Sequence, residues 1–221
     1  MKILVISATQ FEIIPLLDHL NSNFTRKSFF EYTKDQLSVR TLVTGVGSML
    51  TSLGICRLKG IEETDLLLNL GLAGSFCPSI KIGNVVEINK DRFADLGVEE
   101  QDGSFTDVHE LDLINKDFFP FKDGWIENES KTEFKSCQGI TVNKVHGSAN
   151  SIDLIKNKYH PEVESMEGAA FMYASKILDI NCIQLRSISN YVEPRNKDRW
   201  QIDHAIDRLN ESAISFLDQQ N

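Results

Sequence analysis

Apolar and polar positions alternate along the chain in a way that separates strands from helices. The run KILVIS, Lys2 to Ser7, is continuously apolar after its first residue and predicts a buried first strand. The segment QFEIIPLLDHL follows, where Phe11, Ile14, Leu17 and Leu20 recur at helical spacing and predict an amphipathic helix. KSFFEY and LSVRTLVT read as a hairpin-like pair leading into the glycines of TGVG, after which SMLTSLGICRLKG restores helical periodicity. A second apolar run, DLLLNLG, ends in GLAGSF, read as another glycine turn. From Lys90 to about Ser136 the pattern weakens, and Phe105, His109, Phe118, Phe119, Phe121 and Trp125 stand among acidic residues, as expected of a long functional or interface loop region. Order then returns: GITVNKV predicts a strand, ESMEGAAFMYASKIL a helix, CIQLRSIS a strand and QIDHAIDRLNESAISFL a final amphipathic helix. Strand, turn and helix alternating in this way predict an α/β fold with parallel strand pairing, and no internal repeat is visible.

Composition narrows the picture. With 221 residues, 41% of them hydrophobic, the chain is expected to form one domain over residues 1–221 with a core of its own. A formal net charge of −9 argues against a nucleic-acid backbone or an anionic membrane as the main partner, since both would be repelled, and favours a small molecule. Cys56, Cys77, Cys137 and Cys182 form no CxxC pair and are expected to be free, buried thiols. The apolar run Ile3 to Ile6 is too short for a signal-peptide core, and no stretch is long enough to cross a bilayer, so the expected location is the cytoplasm.

Several residues carry candidate chemistry. Glu12 lies just past the first strand, at a helix start; a carboxylate there suits the helix dipole, but ligands of open α/β sheets also bind beyond strand ends. The pairs Gly45 with Gly47 and Gly71 with Gly74 would let backbone N–H groups approach a sugar or phosphate, although tight turns alone explain most such glycines. In VESMEGAAF, Glu164 and Glu167 fit a solvated helix start, or Glu167 accepts from ribose hydroxyls while Met166 packs on the sugar. At the end of the RSISN strand, Ser189 and Asn190 are ordinary turn formers, yet an asparagine amide can both donate to and accept from the edge of a heterocycle.

Glu12 after the first strand, GLAGSF, VESMEGAA and RSISN resemble, in order and spacing, the nucleoside phosphorylase-like superfamily. The strings FADLG, ITVN and NYVEPRNKDRW are similar to its futalosine hydrolase family, which serves menaquinone biosynthesis. The resemblance implies a central mixed, twisted β-sheet flanked by helices, a homo-oligomer, and cleavage of the N-glycosidic bond of a purine nucleoside with neither metal nor organic cofactor. By the same resemblance Glu12 activates water, Glu167 with Met166 holds the ribose, and Gly47, Gly74 and Ser189 line the substrate. Asn190 serves the base. The related methylthioadenosine and adenosylhomocysteine nucleosidases carry aspartate there, and asparagine in its place favours a 6-oxopurine over adenine while removing a carboxylic acid that could protonate the leaving base. A futalosine-like substrate bears a carboxylated aromatic group at its 5′ end, for which Arg195, Lys197 and Arg199 are candidate cations. A phosphorylase would need a basic anion pocket; SATQFE and GLAGSF contain no lysine or arginine, and Arg40 is the cation expected to come nearest. An adenine-specific nucleosidase and a non-catalytic nucleoside-binding protein are the other readings.

Overall fold

The computed structural model describes residues 1–129 and 132–220. Thirteen strands and five α-helices follow one another among them. The N-terminal half holds β1 (Lys2–Ser7), α1 (Ile14–Asn23), β2 (Thr25–Ser28), β3 (Glu31–Lys34), β4 (Leu37–Val43), α2 (Ser48–Cys56), β5 (Leu66–Ser75) and β6 (Val85–Asp91). The short strands β7 (Gly97–Glu99), β8 (Phe105–Asp107), β9 (Phe121–Lys122) and β10 (Trp125–Glu127) come next. Then come β11 (Lys135–Thr141), α3 (Ala149–Tyr159), β12 (Val163–Ser165), α4 (Gly168–Leu178), β13 (Asn181–Tyr191) and α5 (Ile202–Asp218).

The sheet is mixed and flanked by helices. β1 pairs in parallel with β4 and β5, and β13 runs parallel to β5 along its whole length. β13 is antiparallel to β6, β6 is parallel to β11, β11 to β12, and β12 returns antiparallel to the end of β5. β5, β13, β6, β11 and β12 therefore close a ring, with β1 to β4 continuing the sheet from one side of it. Closure removes the strand edges on that side. One face packs against α1 and α5 through Leu16, Leu20, Leu209, Ala213 and Leu217, and the other against α2 and α4 through Ile55, Phe171 and Met172. Asn210 of α5 joins two helices: its side-chain oxygen accepts from the Leu16 N–H (3.0 Å), an otherwise unpaired donor of the first turn of α1, and its amide donates to the Glu12 carbonyl (2.9 Å).

Four expectations from the pattern need correction. The helix after β1 buries Ile13, Leu16 and Leu20, whereas Phe11 and Ile14 are 55% and 43% exposed. A 3₁₀ turn over Phe11–Ile13 and Pro15 at the helix start set the phase differently from a helix begun at Gln10. GLAGS is not a turn: β5 continues through it, and neither Gly71 nor Gly74 has positive φ. VES is the strand β12, and both Glu164 within it and Glu167, which directly precedes α4, are buried rather than solvated. The aromatic region is not a bare loop, because β7 to β10 order it, Phe121 and Trp125 are buried, and the His109 ring stands edge-on to Phe121; Ser130 and Lys131 of this region lie outside the described residues. Of the thiols, Cys137 and Cys182 are buried, Cys77 is partly exposed and Cys56 is exposed on α2. Among the described residues no helix is long and apolar enough to cross a membrane.

Candidate active site

Three charged side chains gather at the carboxyl ends of β1 and β5. Glu12 sits in the 3₁₀ turn after β1, where its Oε2 accepts from the Ser7 hydroxyl (2.9 Å), the Thr9 N–H (2.9 Å) and the Thr9 hydroxyl (3.0 Å). Its Oε1 accepts the Leu72 N–H from β5 (3.2 Å). These donors fix the carboxylate on both sides.

Arg186, mid-strand in β13, reaches the same place. It is fully buried, and its Nη2 donates to Asn69 Oδ1 at 2.5 Å, while Asn69 in turn donates to the Ile6 carbonyl (3.1 Å). A Cβ at Gly71 would stand 2.1 Å from Arg186 Nη1 and 3.4 Å from Glu12 Oε1. Glycine at 71 thus makes room for the Arg186 guanidinium and does not serve a turn. Among the described residues the buried Arg186 Nε has no hydrogen-bond partner.

Glu167 is the third. It precedes α4, is 7% exposed, and its Oε1 accepts the Gly47 N–H (2.9 Å). Gly47 adopts φ +97° at the start of α2, a conformation that turns its N–H toward Glu167 and that other residues rarely take. Burial pushes the Glu167 carboxyl above the ordinary carboxylate range and the Glu12 charge adds to the rise, while Arg186 and the Gly47 N–H oppose it. The neighbouring Met166 is half-buried, its carbonyl accepting from the Ser48 hydroxyl (3.4 Å).

Asn190 lies at the end of β13, where a register shift separates it from Ile188 and pairs it with Gly74. The Ser189 hydroxyl donates to Asn190 Oδ1 (2.8 Å) and Nδ2 donates to the Tyr191 carbonyl (3.0 Å), leaving one amide hydrogen uncommitted. A Cβ at Gly74 would lie 2.8 Å from Val192 Cγ2 and 3.2 Å from Asn190 Nδ2.

The structure therefore brings Glu12, Glu167, Met166 and Gly47 to one end of the sheet, with Ser189, Asn190 and Gly74 on adjoining strands. Arg195 lies beside Gly147, the residue after His146: its N–H donates to the Gly147 carbonyl (3.0 Å) and its guanidinium lies 5.1 Å from the Trp200 ring centre. Arg199 pairs with Glu193, and Lys197 is exposed. Arg40 is turned away, donating to the Lys59 and Gly60 carbonyls, so the arginine at the site is Arg186 and the expectation for Arg40 fails. A single arginine inside the apolar strand CIQLRSIS was the available signal for Arg186. Among the described residues no group of three or more His, Cys, Asp or Glu side chains is arranged to hold a metal ion.

A futalosine hydrolase of Streptomyces coelicolor is 29% identical over 151 residues, 67% of this chain and 63% of that protein, so the match spans less than two thirds of that relative's length. A futalosine hydrolase of Thermus thermophilus is 24% identical over 81% of each chain, and a 5′-methylthioadenosine/S-adenosylhomocysteine nucleosidase of Maridesulfovibrio salexigens 25% identical over 87% of each. The fold matches a futalosine hydrolase structure from Helicobacter pylori with TM-score 0.79 at 17% identity, covering 99% of this chain and 98% of that one. The Phosphorylase superfamily matches residues 2–218, nearly the full length, and the chain belongs to that superfamily.

Proposed function

We propose that this chain is a nucleosidase that hydrolyses the N-glycosidic bond of a 6-oxopurine nucleoside, with futalosine as substrate and hypoxanthine as the released base. The carrying observation is that Arg186 Nη1 and Glu12 Oε1 both lie against Gly71, with Glu167 fixed by Gly47 close by. Residues 1–221 act as one domain in this reading.

The chemistry follows from charge. As the bond from ribose to base breaks, its electron pair leaves with the purine and the sugar becomes cationic. Water adds to the anomeric carbon and gives a proton to Glu12, whose position Ser7, Thr9 and Leu72 set. Arg186, whose Nη1 lies against Gly71 beside Glu12, is the cation that faces the water oxygen. Glu167 accepts from the ribose hydroxyls beside Met166 and stabilises the positive charge developing on the sugar. The departing base takes up one proton, so water is divided between the two products. The Asn190 amide, oriented by Ser189, donates its remaining hydrogen to the base, an interaction suited to a 6-oxo group.

Hydrolysis is favoured over phosphorolysis because a phosphate dianion in the place of the water would face the Glu12 carboxylate with one guanidinium to balance it. An adenine-specific nucleosidase, the activity named for the Maridesulfovibrio relative, is the second reading, and Asn190 argues against it.

The protein is further proposed to work as a homo-oligomer. Met49 and Leu53 on α2 are exposed, Met49 to 75%, and α2 begins at the Gly47 that holds Glu167. Phe118 and Leu113 are also exposed and line an apolar cavity of about 600 Å³ with Phe93 and Tyr173. Apolar surface of this kind suits a second copy of the chain. Light scattering after gel filtration should give a multiple of 25.0 kDa, and a monomer at every concentration would refute this.

The deciding assay is chromatography of free base released from futalosine, inosine and methylthioadenosine, each with and without phosphate. Phosphate-independent hypoxanthine from futalosine is expected; adenine release or phosphate dependence would overturn the reading.

A further inference from the structure

Glu164 takes no part in the chemistry above, yet it is buried at the same end of the sheet. Its cross-strand partner in β5 is Gly74, and the partner of Gly74 on the opposite side is Asn190. Directly paired residues turn their side chains to the same face of a sheet, so Asn190, Gly74 and Glu164 form a row. Gly74 contributes no side chain to it, and the Asn190 amide leans over the glycine, its Nδ2 3.2 Å from where a Cβ would be. An amide and a carboxylate thus flank one glycine. Apolar side chains enclose the place: Val145 and Val192 pack in one cluster with Phe76, which follows β5.

The Glu164 carboxylate is held by a single residue. The His146 N–H donates to Oε1 (3.0 Å), and the His146 ring bonds Oε2 through Nδ1. Among the described residues no lysine or arginine forms a salt bridge with it. The two bonds from His146 leave a second lone pair on each carboxylate oxygen, able to accept from a further donor.

We propose that Glu164 is a specificity-determining residue that reads the base, accepting the N1–H of a 6-oxopurine, and that His146 is its positioning residue; the proposal rests on the nucleosidase reading above. A 6-oxopurine carries a proton on N1, which a carboxylate accepts. A 6-aminopurine carries a lone pair on N1, which a carboxylate repels. Glu164 and Asn190 therefore select the same class of base from two sides of Gly74, one by its charge and one by its amide.

The test uses futalosine and its 6-amino analogue, which share one 5′ group and differ only in the base. Wild-type enzyme is expected to prefer the 6-oxo compound. Glu164→Gln should lower kcat/KM for it by about 10- to 100-fold, the worth of a hydrogen bond to a charged group. The ratio should move toward the 6-amino compound, because an amide N–H can donate to its N1. His146→Ala should shift the ratio the same way, mainly through KM. A wild-type preference for the 6-oxo compound together with an equal loss on both substrates in Glu164→Gln would overturn the role of Glu164 and leave the nucleosidase reading standing. A wild-type preference for the 6-amino compound would defeat the 6-oxopurine reading and this proposal with it. If Glu164→Gln does not fold, product inhibition of the wild type decides: 1-methylhypoxanthine should inhibit about tenfold more weakly than hypoxanthine, and equal inhibition would overturn the proposal.

Discussion

Asp91, at the end of β6, is completely buried, and replacing it with asparagine should make the protein more stable at neutral pH. Its Oδ1 accepts from the Arg92 N–H (2.8 Å) and the Thr141 hydroxyl (3.0 Å), and its Oδ2 from Gln184 Nε2 (3.0 Å). The carboxyl lies under the start of α4, where a Cβ at Gly168 would come within 2.2 Å of Oδ2. Burial pushes the group up to about 6 from an ordinary 3.8, against the opposing bonds of Gln184 and Thr141 and the charge of Arg186. A folded-state value above the unfolded one means that the native chain binds this proton more tightly. Stability from this group is therefore present at low pH, declines as pH rises from about 4 to about 6, and stays lost above that. A shift of about two units corresponds to on the order of 3 kcal/mol.

Asp91→Asn keeps the shape and removes the charge, with Gln184 turning its unpartnered Oε1 to accept from the new amide. Urea unfolding of both proteins at intervals from pH 4 to pH 8 should show the variant gaining on wild type by on the order of 3 kcal/mol across the window, and holding that gain above it. Glu87 and Glu167 are also raised by burial, so each contributes a slope of the same sign. They are present in both proteins and cancel in the difference. Parallel stability curves for the two proteins would refute the reasoning, since they would mean that Asp91 does not titrate differently in the folded and unfolded chains.

Glu12→Gln should reduce turnover by about 10²- to 10⁴-fold while leaving substrate binding largely intact, as measured by calorimetry beside initial rates; equal activity would dismiss Glu12 as the base. Gly71→Ala places a methyl group 2.1 Å from Arg186 Nη1 and should cost about 1–3 kcal/mol in thermal or urea unfolding, with turnover falling too. A variant as stable and active as wild type would show that the crowding is relieved at no expense. Asn190→Asp should move base preference toward 6-aminopurine nucleosides in a competition assay, and an unchanged ratio would remove the argument from the amide.

The elements legible in the sequence were those whose apolar period had one explanation. KILVIS, the helix over α2 and the amphipathic α5 fall where periodicity places them: β1 is buried on both faces, α5 buries one stripe, and α2 buries Thr51 and Ile55 while leaving Met49 and Leu53 exposed. GLAGS misled because glycine in a strand looks the same in sequence whether it makes a turn or makes room. Here it makes room, at Gly71 for Arg186 and at Gly74 for Asn190. Glu12, Glu167 and Asn190 were visible as candidates from their positions and resemblance, but Arg186 was not, since an arginine within an apolar strand gains meaning only when Asn69, Gly71 and Glu12 come to surround it. The partner of Glu164 was equally hidden, because His146 lies 18 residues earlier, in the connection between β11 and α3.

The charge count at the site bears on the choice of nucleophile. Glu12 and Glu167 bring two carboxylates and Arg186 one guanidinium, and Arg186 is buried with both acids in its field. When all three are ionised the group carries a net negative charge, which attracts a ribose that becomes cationic as its bond to the base breaks and repels a phosphate approaching the same carbon. Water enters without that penalty, because it is neutral and can donate to Glu12 while accepting from Arg186. The anion-repelling balance and the glycine that makes room for the Arg186 guanidinium therefore belong to one arrangement, which favours water over phosphate as the nucleophile.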